Sequence, residues 1–337
     1  MGWSPLHLSA EMLKRVQQTL QQGVKQSRQA HITGKSGFNP LAPHTTLNSR
    51  LLADPKSVFC MGMPMYRGQL EKGVSHGPAA IRAHGLAERI ERDGWLFHDY
   101  GDLILPDSEE AMEEHANAKH SELVGRQTRL LYESILQPAK DGKFCLTLGG
   151  DHSLAIGSIA GMLAANPETA VIWVDAHADI NTPQTTLSGN IHGMAVAFLL
   201  GLHDTRKFKG FEWLSNTRKF LSQRLVYVGL RDVDPAEREI IRDLGVKAFT
   251  MQDVDRYGVG KTMEMALDHL LQRVNRPLHL SLDIDAVDPA YAPSTGTTVR
   301  GGLLYREAFY ICESIAETGL LTSMDMVEVN PELCSKD

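Results

Sequence analysis

V-I-W-V-D-A-H-A-D-I-N-T, residues 171 to 182, opens with four apolar residues, β-branched and aromatic, and runs straight into Asp175, His177 and Asp179. The apolar run predicts a buried strand, and the polar side chains at its end are hard metal ligands. Residues two apart in an extended backbone share a face, so the three are expected to converge on one point. Two other stretches follow the same order: L-T-L-G-G-D-H-S (Leu146 to Ser153), which carries His152, and L-H-L-S-L-D-I-D-A-V-D-P (Leu278 to Pro289), which carries Asp283 and Asp285. One acidic cluster after a strand reads equally well as a turn, because Asp favours turns and helix starts. Three such clusters favour metal.

Outward from this stretch, apolar runs alternate with helical periodicity from Ser57 on. The predicted strands are Val58–Met61, Trp95–His98, Phe144–Leu148, Ala170–Val174, Leu225–Val228, Lys247–Thr250, Leu278–Leu282 and Leu321–Met326. Between most of them lie predicted helices at Pro78–Asp93, Glu109–Gln137, Leu154–Ala165, Ala236–Leu244, Thr262–Arg273 and Tyr305–Thr318. Such alternation implies an α/β protein, a single three-layer α/β/α domain with an eight-stranded, mainly parallel sheet. Ligands in these folds bind at the carboxyl ends of strands, where all three acidic clusters fall. The polar stretch from His203 to Gln223 reads as a surface insertion anchored by Phe208, Phe211 and Trp213.

With 337 residues, 42% apolar and 22% charged, the chain has the composition of a globular protein with a sizeable core. A formal net charge of -7 gives no pull towards nucleic acid, and no apolar run reaches the roughly 18 to 20 residues that span a bilayer. Cys60, Cys145, Cys312 and Cys334 are scattered without metal-knuckle spacing and read as reduced thiols, two of them in buried runs. Residues 1–55 are set apart as an amino-terminal extension, with six Lys or Arg against two acids and a basic amphipathic helix between Ser9 and Lys25. That profile fits either a transit peptide or a surface-docking segment. The expected compartment is the cytoplasm, or the mitochondrion if the segment is a transit peptide. T-G-K-S at Thr33–Ser36 lacks the first glycine of a phosphate loop.

His152, Asp175, His177, Asp179, Asp283 and Asp285 are too many ligands for one four-coordinate zinc. They suit two divalent ions with bridging carboxylates, about 3.5 to 4 Å apart. Oxygen donors without thiolate favour Mn, Mg or Fe. The expected product of such a pair is a bridging hydroxide, and the expected reaction is hydrolysis.

G-G-D-H-S (Gly149–Ser153), D-A-H-A-D-I-N-T-P (Asp175–Pro183), S-G-N-I-H-G (Ser188–Gly193), G-L-R-D-V-D-P (Gly229–Pro235), D-I-D-A-V-D-P (Asp283–Pro289), T-G-T (Thr295–Thr297), G-G-L-L-Y-R-E (Gly301–Glu307) and E-V-N-P (Glu328–Pro331) closely resemble the arginases of the ureohydrolase family, in order and at family-like spacing. The resemblance runs from about Cys60 to Pro331, within a catalytic domain drawn at 56–337. It implies two Mn(2+) ions per subunit, one held by His152, Asp175, Asp179 and Asp283 and the other by Asp175, His177, Asp283 and Asp285. Attack of the metal-bridging hydroxide on the guanidinium of L-arginine would then give L-ornithine and urea.

By the same resemblance His192 is the proton shuttle, Glu328 faces the guanidinium and Thr297 orients the solvent nucleophile. Asn181 and Ser188 receive the α-carboxylate; Asp234, and Glu237 through water, receive the α-ammonium. Agmatine lacks the carboxylate and would leave Asn181 and Ser188 unpaired, so arginine is the expected substrate. The alternatives are a ureohydrolase acting on another guanidino compound such as agmatine, and an inactive arginase-like regulatory subunit.

The resemblance also implies a homotrimer, with Arg306 and Glu307 at the subunit interface. The chain ends at Asp337, nine residues after Glu328, short of the family's final helix and the tail that helps assemble trimers. Part of one sheet face is therefore expected to lack a cover. Thr298 and Arg300 stand where the family commonly has proline and a small apolar residue.

Overall fold

The computed structural model describes residues 49–104 and 117–333. Most of the amino-terminal extension, with its basic helix, and the first part of the helix expected from Glu109 lie outside the described residues, as does Cys334. The strands are β1 (Ser57–Met63), β2 (Leu96–Asp102), β3 (Phe144–Gly149), β4 (Ala170–Val174), β5 (Leu225–Leu230), β6 (Lys247–Thr250), β7 (Leu278–Asp283) and β8 (Leu321–Val327). They form one eight-stranded sheet, in the order β2-β1-β3-β8-β7-β4-β5-β6, with every pairing parallel. The helices are α1 (Gly77–Ala83), α2 (Leu86–Arg92), α3 (Ser121–Lys140), α4 (Ala155–Ala165), α5 (Ala195–Leu200), α6 (Pro235–Leu244), α7 (Met251–Leu271) and α8 (Tyr305–Glu317).

A parallel sheet needs apolar cover on both faces, and β4 shows how one short strand serves two cores. Ala170, Ile172 and Val174 enter one core with Ile81, Ile90, Met263 and Ile311 from α1, α2, α7 and α8. Val171 and Trp173 enter the other with Leu131, Ile159 and Phe198 from α3, α4 and α5. Phe208 and Phe211 are buried in this second core, and the Trp213 indole N–H donates to the Gly125 carbonyl at 3.0 Å, so the insertion is anchored by its aromatics as expected.

Local chemistry accounts for the departures from the sequence reading. The single helix expected over Pro78–Asp93 is two, because Gly85 takes φ 79° between them, a left-handed conformation that suits glycine. The helix expected from Thr262 starts at Met251, where the Thr250 amide donates to Asp253 Oδ2 at 2.8 Å. It kinks at Gly258, with φ 75° and ψ 155°, which splits the periodic signal. Helix α5, apolar and buried over five of its residues, has no polar face and so gave no periodic signal.

The expected gap in the sheet's cover is absent from its middle, where every residue of β3, β7 and β8 is buried. Exposure falls on the two edge strands, on β6 at Lys247 and on β2, where Leu96 is 61% and Tyr100 55% exposed. Among the described residues no helix is long and apolar enough to cross a membrane. Cys60, Cys145 and Cys312 are buried free thiols, and burial pushes Cys145 and Cys312 up to about 12, which keeps them protonated and inert.

Candidate active site and metal centre

Five adjacent strands, β3, β8, β7, β4 and β5, deliver their carboxyl ends to one place. Sequence order doubles back among these neighbours, the kind of switch point where parallel sheets open a crevice. After β3, Asp151 caps a single turn (His152–Leu154) by accepting from the Ser153 amide, and α4 follows directly. His152 is thereby fixed at the rim with no freedom of its own.

His152 Nδ1 lies 3.1 Å from Asp175 Oδ2, 3.2 Å from Asp179 Oδ2 and 3.2 Å from Asp283 Oδ2. His177 Nδ1 lies 3.0 Å from Asp285 Oδ2 and 3.4 Å from Asp175 Oδ1. The ligand-type atoms form two groups, His152–Asp175–Asp283 and Asp175–His177–Asp285, each with all atoms within 4.8 Å of one another and with Asp175 common to both. Convergence does not come from strand alternation, as the sequence suggested. β4 ends at Val174, and the chain curls so that Asp179 sits at φ 51°.

The surroundings hold each ligand in place. Asp175 accepts from the His177 amide at 2.7 Å and the Trp173 indole at 2.9 Å; Asp283 Oδ1 accepts from the Asp285 amide at 2.8 Å. Asp285 Oδ1 accepts from the Ala176 amide at 3.2 Å, while its Oδ2 accepts from Thr297 Oγ1 at 2.8 Å. His152 Nε2 sits 2.9 Å from Ser281 Oγ, and the His152 ring stacks on Trp173 at 4.0 Å. With Nε2 engaged, Nδ1 is the nitrogen that faces the carboxylates.

Whether these residues fit metal is decided at that nitrogen. His152 Nδ1 is buried amid three carboxylates yet makes no hydrogen bond with acceptable geometry. A single N–H cannot point at three oxygens, whereas a cation among His152, Asp175 and Asp283 would satisfy the nitrogen and both carboxylates; Asp179 lies beside this group and outside it. Burial, the largest influence on Asp179, Asp283 and Asp285, raises all three carboxyls, with the charge of a neighbouring carboxylate next in size. Burial opposes charge on His177 as well, but Asp175 and Asp285 outweigh it and push the ring up to about 12. His152 is raised too, against burial, by Asp175, Asp179 and Asp283.

The carboxylates thus favour protons on both histidines, and a cation must displace the protons that the cluster holds. Loading is expected to release protons, so apparent affinity falls as pH falls. Calorimetric titration with Mn(2+) in two buffers of different ionisation enthalpy measures this; loading without proton release would contradict it.

Above the cluster lies a cavity of about 200 Å³ lined by His177, Asp179, Asn181, Ser188, His192, Asp232, Asp234, Glu237, Asp283, Asp285 and Thr297. Asn181 Nδ2 donates to Asp234 Oδ2 at 2.9 Å and its Oδ1 accepts from Thr185 Oγ1 at 2.8 Å, which fixes the amide's orientation. Glu237 caps α6 by accepting from the Asp234 amide and also accepts from the Ile180 amide, both at 3.0 Å; burial raises it to about 7. Ser188 stands exposed at the mouth. Glu328, buried at the end of β8 with φ 61°, accepts from the His152 amide at 2.9 Å and faces His192 Nδ1 at 3.3 Å. Burial disfavours charge on His192, but Glu328, backed by Asp179 and Asp151, raises it to about 9.

The family model described as the arginase family matches residues 56–337. The chain belongs to the arginase family. An arginase of Glaciozyma antarctica is 47% identical over 307 residues, covering 89% of this chain and 87% of its own length. The solved structure of Bacillus caldovelox arginase superposes with a TM-score of 0.76 at 39% identity, over 83% of this chain and 93% of that one. Entamoeba histolytica arginase, solved in complex with L-ornithine, gives a TM-score of 0.75 at 30% identity, over 82% and 92% of the two chains. Like these arginases, the chain is a hydrolase built on a single parallel sheet.

Within this arginase fold, sequence reasoning missed the residues that hold the ligands: Trp173, Ser281 and Asp151. The signal was present for two of them, since Trp173 and Ser281 stand two positions before Asp175 and Asp283 and share their strand faces. Asp151 accepts from the Gly68 amide at 2.9 Å, and the His192 amide in turn donates to the Gly68 carbonyl at 3.0 Å, a pairing that no local pattern encodes. Thr298 and Arg300 are exposed, and nothing in the structure explains their departure from the family pattern.

Proposed function

We propose that this protein hydrolyses L-arginine to L-ornithine and urea at a dinuclear manganese centre. The observation that carries the reading is the pair of ligand groups sharing Asp175 beneath a cavity with carboxylates at both ends. One ion would be held by His152, Asp175, Asp179 and Asp283, the other by Asp175, His177, Asp283 and Asp285. The donor set, mostly carboxylate with two imidazoles and no thiolate, fits Mn, Mg or Fe, and among these the resemblance to arginases implies manganese. Bound there, the ions would acidify a shared water so that hydroxide is available near neutral pH.

The chain's own groups supply the rest. The Glu328 carboxylate, already fixed by the His152 amide, offers the planar guanidinium a charge-assisted acceptor. His192, raised to about 9, carries a proton at neutral pH that it can deliver to the leaving amine. Thr297, donating to Asp285, keeps a hydroxyl at the cavity floor that can orient solvent. Asn181 and Ser188 at the mouth suit the α-carboxylate; Asp234 and Glu237, negatively charged or hydrogen-bond accepting, suit the α-ammonium.

Agmatine would forgo the hydrogen bonds that Asn181 Nδ2 and the exposed Ser188 hydroxyl can donate to the α-carboxylate, at about 0.5 to 1.5 kcal/mol for each. Urea release by Mn-loaded protein is therefore expected to be at least about 10-fold more efficient, as kcat/KM, with L-arginine than with agmatine. Equal or greater efficiency with agmatine would move the substrate to a decarboxylated guanidine.

A further inference from the structure

A side chain that ties two of the site's loops together is none of the expected ligands. Arg231, just after β5, is half-buried and directs its guanidinium entirely at backbone carbonyls. Nη2 donates to Asp285 O at 2.6 Å and Val299 O at 2.7 Å, Nη1 to Ala286 O at 3.1 Å and Gly229 O at 3.4 Å, and Nε to Val299 O at 3.2 Å. Among the described residues it makes no ion pair with a carboxylate. Its own amide donates to Ala176 O at 2.9 Å, next to Asp175.

The loop beyond is shaped to admit this fork. A Cβ on Gly302 would meet Arg231 Nη2 at 2.6 Å and the Asp288 amide at 2.7 Å, and Asp288 Oδ2 accepts from the amides of Gly301 and Gly302 at 2.7 and 3.0 Å. Two segments thus meet on one planar cation, the one carrying Asp285 and the one that follows Thr297, while the backbone amide of the same residue ties in the segment carrying Asp175.

We infer that Arg231 is a positioning residue for the second ion, holding the Asp285 backbone and the Thr297 loop where Asp285, His177 and Thr297 meet. Its reach is directional. His152, which with Asp179 completes the first ion's set, rests instead on Ser281 and Trp173, and the Arg231 guanidinium hydrogen-bonds none of these residues. A lysine at 231 brings charge and keeps the amide but has no planar fork, so it cannot bridge the Asp285 and Val299 carbonyls as the guanidinium does. The inference rests on the dinuclear reading and adds to it a specific dependence of one ion.

The test is Mn(2+) titration of wild type, Arg231→Met and Arg231→Lys by calorimetry and by metal analysis after gel filtration, alongside thermal unfolding in chelator. Loss of a supporting partner typically weakens a metal site by about 10- to 100-fold. The expected result is that drop for one ion only in Arg231→Met, an intermediate drop for the same ion in Arg231→Lys, and an unchanged affinity for the other. Gly302→Ala, which crowds the fork without removing it, is expected to follow the same pattern and serves if Arg231→Met does not fold.

Two ions bound as in wild type, or both weakened equally, would overturn the assignment. A merely structural role would lower the chelated protein's melting temperature and leave the ratio of the two affinities unchanged, which also overturns it. A wild type that takes up one ion defeats the dinuclear reading, and Arg231 then stands or falls on whether that ion weakens at least 10-fold in Arg231→Met.

Discussion

Asp175→Asn is expected to lower kcat for arginine by about 10³-fold or more while changing KM by less than about 10-fold. Asp175 is the one carboxylate common to both ligand groups, so its neutral isostere weakens both cation sites at once. The environment also selects against an amide there. The Trp173 indole N–H and the His177 amide both donate to this side chain, and an NH₂ facing either would set donor against donor. A loss of about 4 kcal/mol of transition-state stabilisation corresponds to the 10³-fold effect. The groups proposed to hold the α-amino and α-carboxyl ends lie towards the mouth and are untouched, hence the small change expected in KM. Steady-state urea production at saturating Mn(2+) measures both constants, and a variant within 10-fold of wild-type kcat would show that the shared carboxylate does not organise the chemistry.

Glu328→Gln is expected to lower kcat/KM by roughly 30- to 5,000-fold, the range that follows from about 2 to 5 kcal/mol for a buried charge left without its partner. Geometry changes little, since Gln keeps a carbonyl oxygen for the His152 amide. The charge is what the guanidinium loses. A second consequence concerns His192, which burial alone would push down and which Glu328 holds up at about 9. Without that charge the ring's pKa falls, and the alkaline decline of kcat is expected to move to lower pH, because the proton-donating form is lost as pH rises through the lowered value. A pH–rate profile that does not move would remove His192 from the proton transfer.

The strand positions were legible because parallel strands covered on both faces are written as short apolar runs, and β4 and β6 begin and end where the sequence places them. Helix ends were less so: Gly85 and Gly258 interrupt what periodicity joins or splits, and α5 has no polar face to betray it. The β7 sequence L-H-L-S-L-D alternates like a strand with one wet face, yet all six residues are buried. His279, Ser281 and Asp283 turn inwards, where His279 meets Ser323 at 2.8 Å and Asp325 at 3.0 Å and Ser281 meets His152. Alternation reports polarity and cannot distinguish water from internal partners.

At the site itself the types of the ligands were readable, but the way they converge was not. Asp179 and Glu328 adopt left-handed backbone conformations that cost non-glycine residues roughly 1 to 3 kcal/mol each, a strain tolerated where the fold holds the side chains for another purpose. Residues such as Arg231, whose partners are backbone carbonyls from other segments, leave no local pattern at all.

Anomalous diffraction at the manganese edge from Mn-loaded crystals puts the central claim to the most direct test. The expected result is two peaks per chain about 3.5 to 4 Å apart, with the Asp175 carboxylate between them. A single peak, or two peaks that share no carboxylate, would contradict it.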